Sequence, residues 1–286
     1  MPELITHDGL ALVVERPAPG APKRAPVLLV HGVFVGAGSL KNAQQGLAAR
    51  GHGTAAVHLR GRFGSRPVDD IGRVRIADFV NDVIDAARYL ERVCKQPPVL
   101  LGHSMGGLLV QKAAEAGVGV AAVLVCPAPP RGIVALTARI ARRMAPYVPA
   151  MLLSRPAMMS REDADDVALN CVPPERRAAI YAEDFVRDSG RALREMALGV
   201  PVDARRVHCP VLCLAGADDR FVPARTVQKV AARYGAMYRE YQGHGHVLFE
   251  EPGWERPLAE TAEWIEAVTA GAAGARAGTS AAGGGK

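Results

Sequence analysis

Short continuous apolar runs alternate along this chain with longer stretches whose apolar positions return every third or fourth residue. Runs of the first kind begin at Val27 ("VLLVHG"), Thr54 ("TAAVHLRG"), Pro98 ("PVLLGHS"), Val120 ("VAAVLVCPAP") and Pro210 ("PVLCLAG"). A strand covered on both faces has no polar side, so these runs predict buried strands of a mostly parallel sheet. "LALVVER" from Leu10 and "MYREYQG" from Met237 predict two more strands. The clearest helix is "IADFVNDVIDAARYLERV", where Ile76, Phe79, Val80, Val83, Ile84, Ala87 and Leu90 share one face. "MGGLLVQKAAEAG", "PARTVQKVAARYG" and "PLAETAEWIEAV" predict further helices. Strand and helix in alternation predict an α/β fold, a mostly parallel sheet with helices on both faces.

The alternation stops between Arg131 and Val207, where helical patterns and Pro breaks occur without a convincing strand. This predicts a helical cap over 131–207, inserted into a core domain made of 1–130 and 208–268. In "IVALTARIARRM" the apolar Ile133, Leu136, Ile140 and Met144 share a helical face, with Arg139, Arg142 and Arg143 opposite. No acidic residue lies between Ala116 and Ser160. Two readings follow: an amphipathic helix with a solvated Arg face, or a lid whose Met-rich underside takes acyl chains while its Arg face meets lipid surfaces. The stretch 269–286 is built of small residues with no apolar face, which predicts a disordered tail.

With 286 residues, 49% of them hydrophobic, the chain can bury one sizeable core. No apolar run reaches the roughly 18 residues of a membrane span, and "MPELITHDGL" lacks the basic-then-apolar start of a secretory signal. The five cysteines are too scattered for a disulfide framework, and the "CPVLC" pair sits in an apolar run as packed thiols would. A cytoplasmic protein is expected. The net charge of +6 comes without a basic run interleaved with aromatics, so nucleic acid is not an expected partner.

The chemistry concentrates at "LLGHSMGGLLV", where Gly102, Ser104 and Gly106 form G-x-S-x-G between a strand and a helix. A sharp strand-to-helix turn needs small flanking residues, lifts the hydroxyl clear of the sheet and places helix N-terminal N–H groups beside it. A serine hydroxyl alone is a poor nucleophile at neutral pH, so a base must come from elsewhere in the chain.

In this arrangement the chain, from about Leu10 to Val268, resembles the α/β-hydrolase superfamily and within it the capped esterase and lipase-like members. The resemblance implies the α/β-hydrolase fold with its cap inserted after the sixth strand, here the one ending "CPAPPRG". It also implies a triad in the order Ser, then Asp or Glu, then His. The family's Gly-His, four residues, Glu-Pro-Gly-Trp pattern, counted back from "EPGW", implies His246 as the base, with His244 as the alternative. The acid in that pattern lies three residues after Gly216 and four before Pro223, which implies Asp219, with Asp218 as the alternative. The oxyanion hole is implied at the backbone N–H groups of Val33 and Met105, and Phe34, Met144 and Met151 are candidate substrate contacts. One departure stands out: relatives read D-L-R-G-H-G-x-S in the loop that shapes the pocket rim, and this chain reads "HLRGRFGS".

Together these expectations describe a serine hydrolase that cleaves carboxylic esters through an acyl-enzyme, with no metal and no cofactor. Its expected partner is a small-molecule ester or acyl compound, with lipid-surface contact through the cap. The same residues serve thioesterase, lactonase, amidase, acyltransferase, perhydrolase and C–C hydrolase chemistry, and a non-catalytic ligand-binding protein is the reading from another class.

Overall fold

The computed structural model describes residues 2–17, 20–22 and 24–281, with side chains through residue 270. Its strands and helices run in the order β1 (Glu3–His7), β2 (Leu10–Glu15), β3 (Val27–Val30), α1 (Lys41–Ala49), β4 (Thr54–His58), α2 (Ile76–Cys94), β5 (Val99–His103), α3 (Met105–Glu115) and β6 (Ala121–Val125). A helical stretch follows, with α4 (Ala138–Met144), α5 (Val148–Leu153), β7 (Pro156–Ala157), α6 (Arg161–Asp163), α7 (Pro174–Asp184), β8 (Asp188–Ser189) and α8 (Gly190–Leu198). The chain then returns through β9 (Val211–Gly216), α9 (Ala224–Tyr234), β10 (Met237–Tyr241) and α10 (Glu255–Ala281).

Eight strands form one sheet in the order β1-β2-β4-β3-β5-β6-β9-β10, parallel except for the β1–β2 and β2–β4 pairs. The chain leaves β3 toward one edge and returns to β5 on the other side of β3. A crevice therefore opens at the carboxyl ends of these neighbouring strands, where α/β sheets hold ligands. Val30 of β3 pairs with Gly102 of β5, so the loops after both strands emerge side by side.

The apolar runs are continuous because each strand is buried on both faces. Leu28, Val30, Leu100 and Leu124 pack with α2, α3 and α9, while Val27, Leu29, Leu101 and Val123 pack with α1 and α10. On α2, Phe79 is fully buried, a contribution of about 1.5–3 kcal/mol for such a side chain. Ile84, predicted on the inner face, is only half-buried, whereas Asp82 is buried. The carboxylate lies there because Arg60 gives it three hydrogen bonds (backbone N and Nε at 2.9 Å, Nη2 at 2.7 Å) and Arg66 a fourth.

Between β6 and β9 the structure differs in detail from the sequence reading. Two-residue strands β7 and β8 pair antiparallel where no strand was expected, being too short to carry a hydrophobic period. The Arg face of α4 is partly consumed: Arg139 and Arg143 both bond Asp166, and Arg143 reaches Glu162 as well. This stretch has its own apolar cluster, in which Ile140, Tyr147, Met159, Val167, Leu169 and Leu193 gather around Phe34. Of the predicted tail, α10 carries the backbone on as helix to Ala281, consistent with its many alanines. Residues 282–286 and the side chains beyond 270 lie outside the described residues. Among the described residues no helix is long and apolar enough to cross a membrane.

Candidate active site

Ser104 occupies the turn between β5 and α3 with φ 54° and ψ −118°, a conformation costing roughly 1–3 kcal/mol for a residue with a side chain. The surroundings enforce it. Ser104 N–H donates to Val125 O at 3.0 Å, and Ser104 O accepts from Ala128 N at 2.8 Å and Gly107 N at 3.0 Å. The flanking glycines are required by space: a Cβ on Gly106 would strike the Val30 and His31 carbonyl oxygens, and one on Gly102 the Gly106 carbonyl. The motif is thus a statement about backbone crowding, and the hydroxyl is its product.

His246 lies in the loop after β10 and is buried with Asp219, which follows β9. Its Nδ1 is 2.8 Å from Asp219 Oδ2. Asp219 Oδ1 accepts the N–H groups of Phe221 and Val222, both at 2.8 Å, so the carboxylate cannot rotate freely. The two loops touch closely: Asp218 N–H donates to His244 O, and a Cβ on Gly216 would strike the carbonyls of residues 244 and 245. Asp218 is exposed and His244 sits beside Glu251, so neither alternative joins the Asp219–His246 pair. Glu251 accepts the N–H groups of Gly245 and Val247, bracketing His246, and burial pushes its carboxyl up to about 7. Phe221 stands edge-on to the imidazole at 5.0 Å.

His103, the residue before Ser104, was not singled out by sequence. Its Nε2 lies 2.8 Å from His246 O, and burial holds its pKa down at about 3, so it stays neutral and donates an N–H there. His31 is likewise neutral by burial, with Nδ1 on Gly32 O and Nε2 accepting Leu59 N–H, which is a structural use. Met105 is the first residue of α3, so its N–H has no carbonyl one turn back. Val33 N–H has no acceptor among the described residues, while the next amide, Phe34 N–H, is tied to Asp188.

Ser104 separates two cavities. One, about 40 Å³, is lined by Phe34, His246, Met159, Leu169, Asp184 and Glu250 among others. The other, about 390 Å³, is lined by Met105, Ile133, Met144, Met151, Leu193 and Met196 among others. Val33, Ser104 and Phe221 belong to both walls. Seven of the eight predicted site residues line one cavity or the other, and the eighth, Asp219, lines neither but bonds His246. No hydrogen bond joins Ser104 Oγ to His246 among the described residues, where His246 bonds through Nδ1 to Asp219 and through its backbone oxygen to His103. In the small cavity burial raises Asp184 to about 6 and Glu250 to about 7.

Among the described residues, Cys126, Asp219 and His246 bring a thiol, a carboxylate and an imidazole within 4.8 Å, a grouping that could hold a metal ion. The carboxylate is committed to the imidazole and two amides, and burial pushes the Cys126 thiol well up, away from the thiolate a metal needs. The set fits an acid–base pair with a neutral thiol packed beside it.

A strained serine turn at the sheet's carboxyl edge, with a His–Asp pair on the loops after the last two strands, is the arrangement found in hydrolases of the α/β class. The model of the alpha/beta hydrolase family matches residues 27–264, and the chain belongs to that family. It is 26% identical over 280 residues to the monoacylglycerol lipase of Mycolicibacterium smegmatis, covering 90% of this chain and 93% of that one. In fold it is similar to a soluble variant of the Saccharomyces cerevisiae monoglyceride lipase, solved with a substrate analogue (TM-score 0.74, 16% identity, 93% of this chain and 94% of that one). The Paleococcus ferrophilus monoacylglycerol lipase is similar at TM-score 0.66 and 22% identity, over 93% of this chain and 99% of that one.

Proposed function

We propose that this protein is a serine hydrolase of carboxylic esters working through an acyl-enzyme. The observation that carries the reading is the 2.8 Å contact between Asp219 and His246, whose imidazole lines a cavity together with the strained Ser104 turn. Ser104 Oγ attacks the ester carbonyl while His246 takes its proton, and Asp219 supports the imidazolium so formed. The Val33 and Met105 N–H groups receive the charge developing on the carbonyl oxygen, each worth roughly 2.7–4 kcal/mol in comparable sites. The imidazolium protonates the departing alcohol, and water, deprotonated by the same imidazole, releases the acid.

The larger cavity supports an acyl-chain site, with Met144 and Met151 as flexible walls. The smaller cavity supports a leaving-alcohol site, where Phe34 forms part of the wall. Asp184 and Glu250, raised toward neutrality, can accept from or donate to hydroxyl groups there. A long-chain acyl ester of a small polyol fits this division, and monoacylglycerol lipases are among the proteins this chain is similar to. The 131–207 segment is the cap over both, and the exposed Val134, Leu136 and Leu198 at the larger cavity's margin favour contact with a lipid surface. A panel of esters, thioesters, lactones and amides over a series of chain lengths tests the reading, with Ser104→Ala as control. Ester turnover that favours long chains and vanishes in Ser104→Ala is expected. Turnover confined to acetyl esters would remove the acyl-chain assignment, and turnover persisting in Ser104→Ala would remove the mechanism.

A further inference from the structure

The departure in the "HLRGRFGS" loop places an arginine in the protein interior, away from the pocket rim. Arg62 and Asp188 are respectively 1% and 0% exposed in their side chains, and they meet as a two-point fork, Nη2 to Oδ1 at 2.8 Å and Nη1 to Oδ2 at 3.0 Å. Both side chains also bond one short stretch of backbone, Phe34 and Val35. Asp188 Oδ2 accepts Phe34 N–H at 2.8 Å, and Arg62 Nη1 donates to Val35 O at 3.2 Å. Val186 N–H, two residues before Asp188, donates to Phe34 O at 2.7 Å. Phe34 itself is held at φ 65°, a conformation its side chain disfavours. Neither the N–H nor the C=O of Phe34 is left free to turn.

From this we infer that the Arg62–Asp188 pair is a positioning device for the oxyanion site, through which the segment carrying β8 sets the Val33 amide; the inference rests on the ester-hydrolase reading above. Val33 and Phe34 present successive amides, and rotation of the intervening backbone would trade one for the other. Asp188 takes the Phe34 N–H out of competition, which leaves Val33 N–H as the available donor. The same carboxylate is anchored away from the loop, accepting Ser189 N–H at 2.7 Å, while Ser189 Oγ donates to Val74 O at 2.6 Å. Arg62 is held from the far side, its guanidinium 5.1 Å from the Phe79 ring centroid on α2. The oxyanion donor is therefore referred to two elements outside its own loop, α2 and β8.

Stability alone gives little reason for such a pair. Two buried charges replaced together by apolar residues of similar volume often leave a fold as stable or more so, whereas removal of one charge strands the other. That difference separates a positioning role from a structural one. The test compares Asp188→Asn, Arg62→Met and the double variant Arg62→Met/Asp188→Leu. For each, kcat is normalised to active sites titrated with a fluorophosphonate, KM is measured on one p-nitrophenyl ester, and folding is followed by thermal melting. A positioning role predicts that the folded double variant still loses about 10²-fold in kcat, as a small misplacement of a donor does, with KM changed by no more than about threefold. Per-site kcat equal to that of the unsubstituted protein in a folded double variant overturns the inference and leaves the hydrolase reading standing. Failure of the unsubstituted protein to turn over any ester overturns the reading beneath it.

Discussion

Replacement of Asp219 by Asn makes a stringent demand on the proposed mechanism, because the structure dictates which way the new amide must point. Asp219 Oδ1 accepts two backbone N–H groups at 2.8 Å, from Phe221 and Val222. An amide NH2 placed there would set donor against two donors, so the Asn oxygen takes the Oδ1 position and its NH2 faces His246 Nδ1. Nδ1 must then accept, which puts the ring proton on Nε2, the nitrogen that has to receive the Ser104 proton. The base is disabled by tautomer while its geometry is preserved. A comparable substitution in a serine protease triad costs about 10⁴ in kcat, or about 5.5 kcal/mol of barrier. We expect a loss of that order on a p-nitrophenyl ester, with KM within a few-fold. The melting temperature should change little, because the two amide contacts survive. Activity of Asp219→Asn within about tenfold of the unsubstituted protein would refute the tautomer argument and, with it, the assignment of Asp219.

Three further outcomes follow from other parts of the molecule. Gly106→Ala should abolish activity or folding, since its Cβ meets two carbonyl oxygens of the β3 end; a soluble variant with full turnover would contradict the crowding argument. Met151→Trp should move the acyl-chain optimum to shorter esters while retaining the shortest, as read from kcat/KM over a chain-length series; an unchanged profile would place the chain elsewhere. Burial raises Glu250 to about 7, above its unfolded value near 4.3, so its contribution to stability is full below about pH 4 and lost as pH rises through about 7. Glu250→Gln should therefore lose less stability than the unsubstituted protein between pH 5 and pH 8, measured by denaturant midpoints; parallel losses would show that Glu250 does not titrate in that window.

Legibility in the sequence followed the range of the physical cause. Strands β3, β5, β6 and β9 were readable because burial on both faces leaves no choice but continuous apolar residues. Strand β1 was not, since it lies at the sheet edge with most of its side chains toward solvent, and α1 offers few large apolar residues. The Ser104 turn was readable because its glycines answer a local steric demand. His246 and Asp219 came from family register, and no sequence spacing alone would have chosen them over His244 and Asp218. Arg62 and Asp188 are 126 residues apart and each reads as an ordinary surface charge. Asp82 was illegible for the same reason: its position on α2 is buried where two arginines from the loop after β4 reach it. The pairing of the α4 arginines was hidden too, because the partner of Arg139 and Arg143, Asp166, lies beyond the acid-free stretch in which they sit.

The proposed mechanism requires one hydroxyl, one imidazole and two amides to converge on a single reacting centre. The most direct measurement is a crystal structure of the protein inactivated by an alkyl phosphonate. The mechanism predicts phosphorus bonded to Ser104 Oγ and the phosphonyl oxygen within about 3 Å of the Val33 and Met105 nitrogens. It also predicts His246 Nε2 in hydrogen-bonding reach of Oγ, with the alkyl chain lying among Met144, Met151 and Met196. An adduct on any other residue, or a phosphonyl oxygen turned away from both amides, would contradict it.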